Sequence, residues 1–185
     1  LSIANKDGYY ARPRIDLELI DQLPPDDVMI TTACIAFWNK YDDIVDIVRH
    51  LAESFPHFYL EVQAHNTTEQ KELNRRIIKI SEALNVPIIA GCDSHVITES
   101  QMLDRDELLK SGNIHYEDED GWYMDYPTYD VLFERFKQQG VLTDGQIKAA
   151  INNTNVLFEF EAIKLDRSLK VPVIKELRNK TQEER

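Results

Sequence analysis

Hydrophobic positions along the chain alternate between two periods. A β-branched run from Val28 to Ala33 predicts a strand that ends at Cys34. From Tyr41 to Phe55 the period changes to that of a helix, with Ile44, Ile47, Val48, Leu51 and Phe55 on one stripe and Pro56 closing it. His57 to Gln63 predicts a second strand. Thr67-x-x-Gln70 has the form of a capping box and opens a helix to about Leu84, with Leu73, Ile77, Ile80 and Leu84 on one face and Asn85 as its C′ residue. Pro87 to Cys92 predicts a third strand, running straight into Asp93-Ser94-His95.

The flanks are less regular. Pro13 to Ile20 predicts a short helix, with Pro13 in its first turn and Ile15, Leu19 and Leu23 sharing a face. Thr98-x-x-Gln101 opens a helix towards Lys110, and Ser111 to Met124 reads as a loop holding the acidic run Glu117–Asp120. Tyr126 to Gln139 predicts a helix with Val131, Leu132 and Phe136 inward and Gly140 as its stop. A further helix opens at Thr143-x-x-Gln146, with Ile147, Ala150 and Ile151 inward. Val156 to Phe160 reads as a last short strand, and the polar stretch from about Lys164 as a linker.

Alternating strands and helices with crossovers of this length predict an α/β fold with a parallel sheet and further helices after it. Ligands in such folds sit at the carboxyl ends of the strands. Cys34, then Gln63 and His65, then Asp93 and His95 all fall at those ends. Each has a plain alternative. Cys34 is either a small buried hydrophobe or a soft thiolate ligand. Cys92 is expected to point to the other face of its strand as core filler, and His65 to be a loop residue before the Asn66-Thr67 cap. Asp-x-His is either a capping Asp beside a surface His or a ligand pair for Zn²⁺, Mn²⁺ or Fe²⁺. Glu61, between Leu60 and Val62, is expected to point inward and to need a partner such as an Arg. His50, His57 and His115 read as surface or loop residues.

Composition narrows the function classes. A net charge of −12 argues against the chain itself being a nucleic-acid clamp, which needs clustered Lys and Arg. Two cysteines are too few for a disulfide framework, so a cytoplasmic setting is expected. No apolar run spans a bilayer, and no signal peptide, Gly-x-Gly-x-x-Gly, P-loop or Ser-centred nucleophile elbow is present.

Six segments, in order, resemble one known family. They are Tyr9-Tyr10-Ala11-Arg12-Pro13-Arg14-Ile15-Asp16, Thr31-Thr32-Ala33-Cys34-Ile35, Phe58-Tyr59-Leu60-Glu61-Val62-Gln63-Ala64-His65, Glu69-Gln70-Lys71-x-x-Asn74, Val86-Pro87-Ile88-Ile89-Ala90 with Asp93-x-His95, and Ala149-x-x-Asn152-x-Thr154. Together they resemble the PHP (polymerase and histidinol phosphatase) domain of bacterial DNA polymerase III alpha subunits, over about residues 7 to 160. The resemblance implies a partial distorted β/α barrel over residues 1–160, with 161–185 leading towards a polymerase region. It also implies that Cys34, Asp93 and His95 match metal ligands, with Zn or Mn as the cation. The family usually has Asn where this chain has Cys92. Its early His-x-His motif and the polymerase carboxylates have no counterpart in these residues, so no catalytic residue is expected within them.

On this resemblance the expected function is that of a piece of a replicative polymerase subunit, meeting DNA and holoenzyme subunits through the longer chain. Its rim would be a metal-dependent phosphoesterase or proofreading-type site, or the structural remnant of one. The alternatives are a phosphatase acting on a small phosphate ester and a non-catalytic scaffold that docks a separate exonuclease. Taken alone, the chain is expected to bind metal weakly at most and to self-associate through uncovered strands.

Overall fold

The computed structural model describes residues 2–40, 43–114, 121–161, 164 and 168. Among them the elements run α1 (Ser2–Lys6), α2 (Leu17–Ile20), β1 (Ile30–Thr31), α3 (Ile35–Trp38), α4 (Ile44–Ser54), β2 (Phe58–Gln63), α5 (Thr68–Leu84), β3 (Ile88–Gly91), α6 (Met102–Ser111), α7 (Tyr129–Gln139) and α8 (Asp144–Asn152). The strands form one parallel sheet in the order β1-β2-β3. Leu60 pairs with Ile88 and Gln63 with Gly91, so β2 and β3 end side by side.

Period-two alternation on β2 turns Phe58, Leu60 and Val62 into the core, where they are almost fully buried. Ile44, Val48 and Leu51 of α4, Leu73 and Ile77 of α5, and Ile147, Ala150 and Ile151 of α8 complete that core. The other face of β2 is polar. Glu61 accepts hydrogen bonds from Thr31 Oγ1 (2.8 Å) and Gln63 Nε2 (2.9 Å), so two neutral donors take the place of the expected Arg. A Cβ on Gly91 would lie 2.0 Å from Glu61 Oε1, so the bare backbone of β3 makes room for this carboxylate.

The end of β2 is held by a buried amide network. Asn74 Nδ2 donates to Gln63 O (2.8 Å) and Gln139 Oε1 (2.7 Å). Gln139 Nε2 donates to Gln63 O (3.0 Å) and His65 O (2.7 Å). Gln70 Nε2 donates to Asn74 Oδ1 (2.9 Å). The expected capping box of α5 is therefore only half made. Thr67 accepts from Gln70 N, while the Gln70 side chain turns inward to Asn74.

Several expected boundaries move for local reasons. The helix expected from Pro13 to Ile20 is confined to α2, Leu17–Ile20, because Asp16 caps it and Arg14 N–H is engaged with Gly8 O across a turn. The Val28–Ala33 strand shrinks to two residues, since Ala33 swings to φ 51° and leaves the sheet. α7 starts at Tyr129 behind a Thr128 cap, and Val131 faces solvent while Leu132 and Phe136 are buried. Val156–Phe160 is not a strand: Asn153–Phe158 continues α8 as a 3₁₀ helix. Asn153 Nδ2 donates to Ile88 O at 2.7 Å and docks that turn on β3. Asn85 and Gly140 end α5 and α7 in the left-handed region as the sequence requires, and both arms of the boxes at Thr98 and Thr143 form. Tyr41 and Asp42, His115, the acidic run Glu117–Asp120 and nearly all of the expected linker lie outside the described residues. No helix among the described residues is long and apolar enough to cross a membrane.

Asn74→Leu is expected to leave Gln63 O and Gln139 Oε1 short of a buried donor, and so to lower stability by about 2–4 kcal/mol. The urea unfolding midpoint at constant m-value reads this directly. A loss within about 0.5 kcal/mol, the range of ordinary surface substitutions, would contradict a structural role for the network.

Candidate functional site at the carboxyl ends of the strands

Parallel pairing puts the residues that follow β1, β2 and β3 at one end of the sheet. Cys34, the N-cap residue of α3, is exposed, which removes the reading of it as a buried hydrophobe. It follows Ala33, whose left-handed backbone is uncommon for a residue with a side chain. Cys92 is exposed as well and does not fill the core as expected, because the strand stops at Gly91.

Asp93 and His95 are brought together. His95 Nδ1 lies 2.9 Å from Asp93 O and 3.7 Å from Asp93 Oδ1, with both side chains about half exposed. A backbone carbonyl only accepts, so the proton of this bond sits on Nδ1 and the lone pair is on Nε2. An imidazole held in this way, beside a carboxylate, fits a divalent cation. Among the described residues, however, no group of three or more His, Cys, Asp or Glu side chains is assembled to hold a metal ion. The donors present suit the cation in kind but form a pair, not a complete set.

His65 is where the sequence expectation fails most. It is 2% exposed, not a surface loop residue. Its ring packs on Trp122, with centroids 4.4 Å apart, and its Nδ1 accepts from Tyr123 N–H at 3.0 Å. Its Nε2 is buried without a hydrogen-bond partner among the described residues. Burial lowers its pKa to about 4; the Asp93 carboxylate opposes that shift and the Arg135 cation adds to it. At neutral pH the ring is uncharged.

Residues 121–126 also escaped the sequence reading, which assigned most of them to a solvated loop. They form a strap across the ends of β2 and β3. Asn66 N–H donates to Gly121 O (2.7 Å), His95 N–H to Met124 O (2.7 Å), Val96 N–H to Met124 O (3.0 Å) and Ser94 Oγ to Asp125 O (2.9 Å). Gly121 sits at φ +85°, a conformation that suits glycine, with Asn66 O close against it. Asp125 anchors the strap through a two-pronged pair with Arg135 of α7, at 2.7 and 3.0 Å. The Arg135 guanidinium lies 4.1 Å from the Tyr123 ring centroid. The same guanidinium holds the Asp125 carboxyl below the usual carboxylate range. The available signal was composition: Trp122, Tyr123 and Met124 are an apolar cluster unsuited to a free loop.

Among the described residues, the two other histidines, His50 and His57, stand apart from the rim. His50 Nε2 lies 2.8 Å from Asp21 Oδ1, and the His57 ring meets Phe160 edge-on at 5.0 Å.

Stability should carry the mark of His65. Its folded pKa lies below the value of about 6.5 for the unfolded chain, so between those two pH values the unfolded state binds more protons. Stability is then full above pH ~6.5 and falls by ~3 kcal/mol as the pH drops to ~4. The depressed Asp125 carboxyl extends the loss to lower pH, since its contribution disappears as the pH falls through its folded value. Urea unfolding at stepped pH is expected to show this slope in the wild type and a flatter one in His65→Leu. Equal slopes would contradict the assignment.

No family model matches the chain. Parts of it are similar to curated DNA polymerase III alpha subunits. Identity is 28% over 175 residues with the subunit of Aquifex aeolicus, covering 84% of this chain and 14% of that protein. It is 30% over 119 residues with that of Borreliella burgdorferi, covering 60% of this chain and 10% of that protein. For Saccharopolyspora erythraea it is 25% over 140 residues, covering 66% of this chain and 12% of that protein. The chain thus spans between a tenth and a seventh of the length of these relatives, and it is related in sequence to that part of DNA polymerase III alpha subunits.

Proposed function

We propose that this chain is part of a cytoplasmic DNA polymerase III alpha-type subunit and forms a portion of its PHP-like β/α barrel. Template-directed DNA synthesis, and contacts with DNA and holoenzyme subunits, belong to the longer protein. The carboxyl-end rim is the edge of a phosphoesterase or proofreading-type site, with Cys34, Asp93 and His95 as ligands for Zn²⁺ or Mn²⁺. The observation that carries this reading is the Asp93–His95 pair at the end of β3, with His95 Nδ1 committed to Asp93 O and Nε2 left free to bind. A bound divalent cation would supply polarisation of a phosphoryl oxygen and a water of lowered pKa. Around it, Asp93 and His95 bind, the strap accepts the His95 N–H at Met124 O and the Ser94 hydroxyl at Asp125 O, and Cys34 offers an exposed thiol on the same rim.

A scaffold role, supporting the polymerase or docking a separate exonuclease, is the second reading. It is favoured by the absence of any assembled group of three donors among the described residues. Either way, two edge strands in a three-stranded parallel sheet suit pairing with further chain. Sedimentation velocity of the 185-residue chain is expected to show association that grows with concentration, and a monomer throughout would count against open edges.

The metal reading is tested by calorimetric titration with Zn²⁺ and with Mn²⁺, comparing the chain with an Asp93→Ala, His95→Ala double variant, beside a phosphodiesterase assay. Weak binding that the double variant abolishes, without turnover, is the expected result. Tight binding with turnover, lost in the variant, would show a complete site within this chain. Identical binding in both would remove these two side chains from metal binding and leave the scaffold role.

A further inference from the structure

At the amino ends of β1 and β2, opposite the rim, a groove of about 910 Å³ opens beside Glu161, where the continuous run of described residues stops. Met29, just before β1, His57, just before β2, and Leu157 and Phe160 give it an apolar floor. The His57 ring meets Phe160 edge-on, and Leu157 is left 58% exposed. Asp26, Asp27, Glu159 and Glu161 edge the same groove, and no Lys or Arg is among its described lining residues. An apolar surface framed by charges of one sign suits an occupant that is apolar in the middle and carries the opposite charge at its ends.

The chain itself holds such a segment. Against a net charge of −12 for the whole, residues 164–180 carry six Lys or Arg and only Asp166 and Glu176 as acids. Within them, Lys170-Val171-Pro172-Val173-Ile174-Lys175 sets four apolar residues between two lysines. Pro172 fixes its own φ and biases Val171 towards extended backbone, so less freedom is lost when this run is laid in a groove. The stretch from Glu161 to Lys170 reaches up to ~30 Å when extended, enough to turn back over the groove. Tethering also gives this segment an effective concentration on the order of millimolar, which favours it over the same segment of a second copy.

We propose that Lys170–Lys175 docks in this groove of its own chain, with Val171, Val173 and Ile174 against Met29, Leu157 and Phe160 and the two lysines facing the carboxylates. The docking stands without the proposed function. On that reading it clamps the exit towards the polymerase region at the end of the sheet away from Cys34, Asp93 and His95.

Carbodiimide, which joins an amine to a carboxylate in direct contact, tests the docking on the 185-residue chain. Mixing ¹⁴N- and ¹⁵N-labelled protein separates links within one chain from links between copies. Lys170 or Lys175 is expected to be joined to Asp26 or Asp27, distant in sequence, in single-isotope products, with a yield that falls at about 1 M NaCl. Mixed-isotope products give the groove to a second copy and overturn the inference. Links from these lysines only to other carboxylates, or none at all, overturn it too. The ¹³C-methyl signal of Met29 adds a readout independent of lysine chemistry, with Met102 and Met124 as controls of folding. Val173→Asp, and separately the Lys170→Glu, Lys175→Glu pair, are each expected to shift Met29 alone. Adding Asp26→Lys and Asp27→Lys to the lysine pair is expected to move it back. A Met29 signal indifferent to every segment variant overturns the inference and leaves the groove to an occupant outside the chain.

Discussion

The carbonyls of Gln63 and His65 lie where β2 leaves the sheet, and a buried carbonyl has to be paired. β3 has no residue left to do it, because the ladder stops at Gln63 and Gly91. Side-chain amides from two helices take over: Asn74 from α5 and Gln139 from α7 converge on these two oxygens. This requirement ties together elements that are far apart in sequence. It sets how deeply α7 sits over the end of β2, and it fixes the backbone from which His65 projects. Inward-turned amides also explain why Gln70 gives up half of its capping role at the start of α5.

Once α7 is placed, Arg135 is placed with it. Its guanidinium pins Asp125 and lies over Tyr123, which draws residues 121–126 across the strand ends. The ion pair is mostly buried, with side chains 12% and 14% exposed, so its worth depends on complete pairing. Two-pronged geometry and the aromatic face meet that condition for the cation. The strap in turn satisfies the backbone N–H groups of His95 and Val96, and its own Tyr123 N–H points at His65. The rim is thus built from backbone groups as much as from side chains. The protonation pattern of both histidines follows from which backbone group each one meets.

A parallel sheet normally has both faces covered. Here one face of β2 is core and the other carries Glu61 and Gln63, which form a polar chain with Thr31 of β1. Neutral donors on a partly exposed carboxylate avoid the desolvation cost of a buried ion pair. Gly91 keeps that carboxylate within the sheet, because any side chain there would occupy its place.

Local pattern was sufficient for the middle of the fold. Period-two runs gave β2 and β3, the stripes of α4, α5 and α8 gave the core, and Thr67, Asn85, Thr98, Gly140 and Thr143 marked helix ends, because these signals act within one turn or one strand. Parallel pairing and the shared carboxyl-end rim also followed, since crossovers of this length favour parallel pairing. The failures arose at strand ends, where the backbone turns away, and where a partner distant in sequence decides the outcome. β1 is two residues long because Ala33 turns away, and Val156–Phe160 is helical because Asn153 docks on Ile88 O. Cys92 is exposed because the strand ends one residue before it. Sequence alone determined which residue types reach the rim: Cys34, His65, Asp93 and His95. Tertiary structure alone decided that His65 is buried, neutral and met by a backbone donor. That outcome depends on Trp122 and Tyr123 returning from more than fifty residues away, and no local periodicity encodes a contact over that separation.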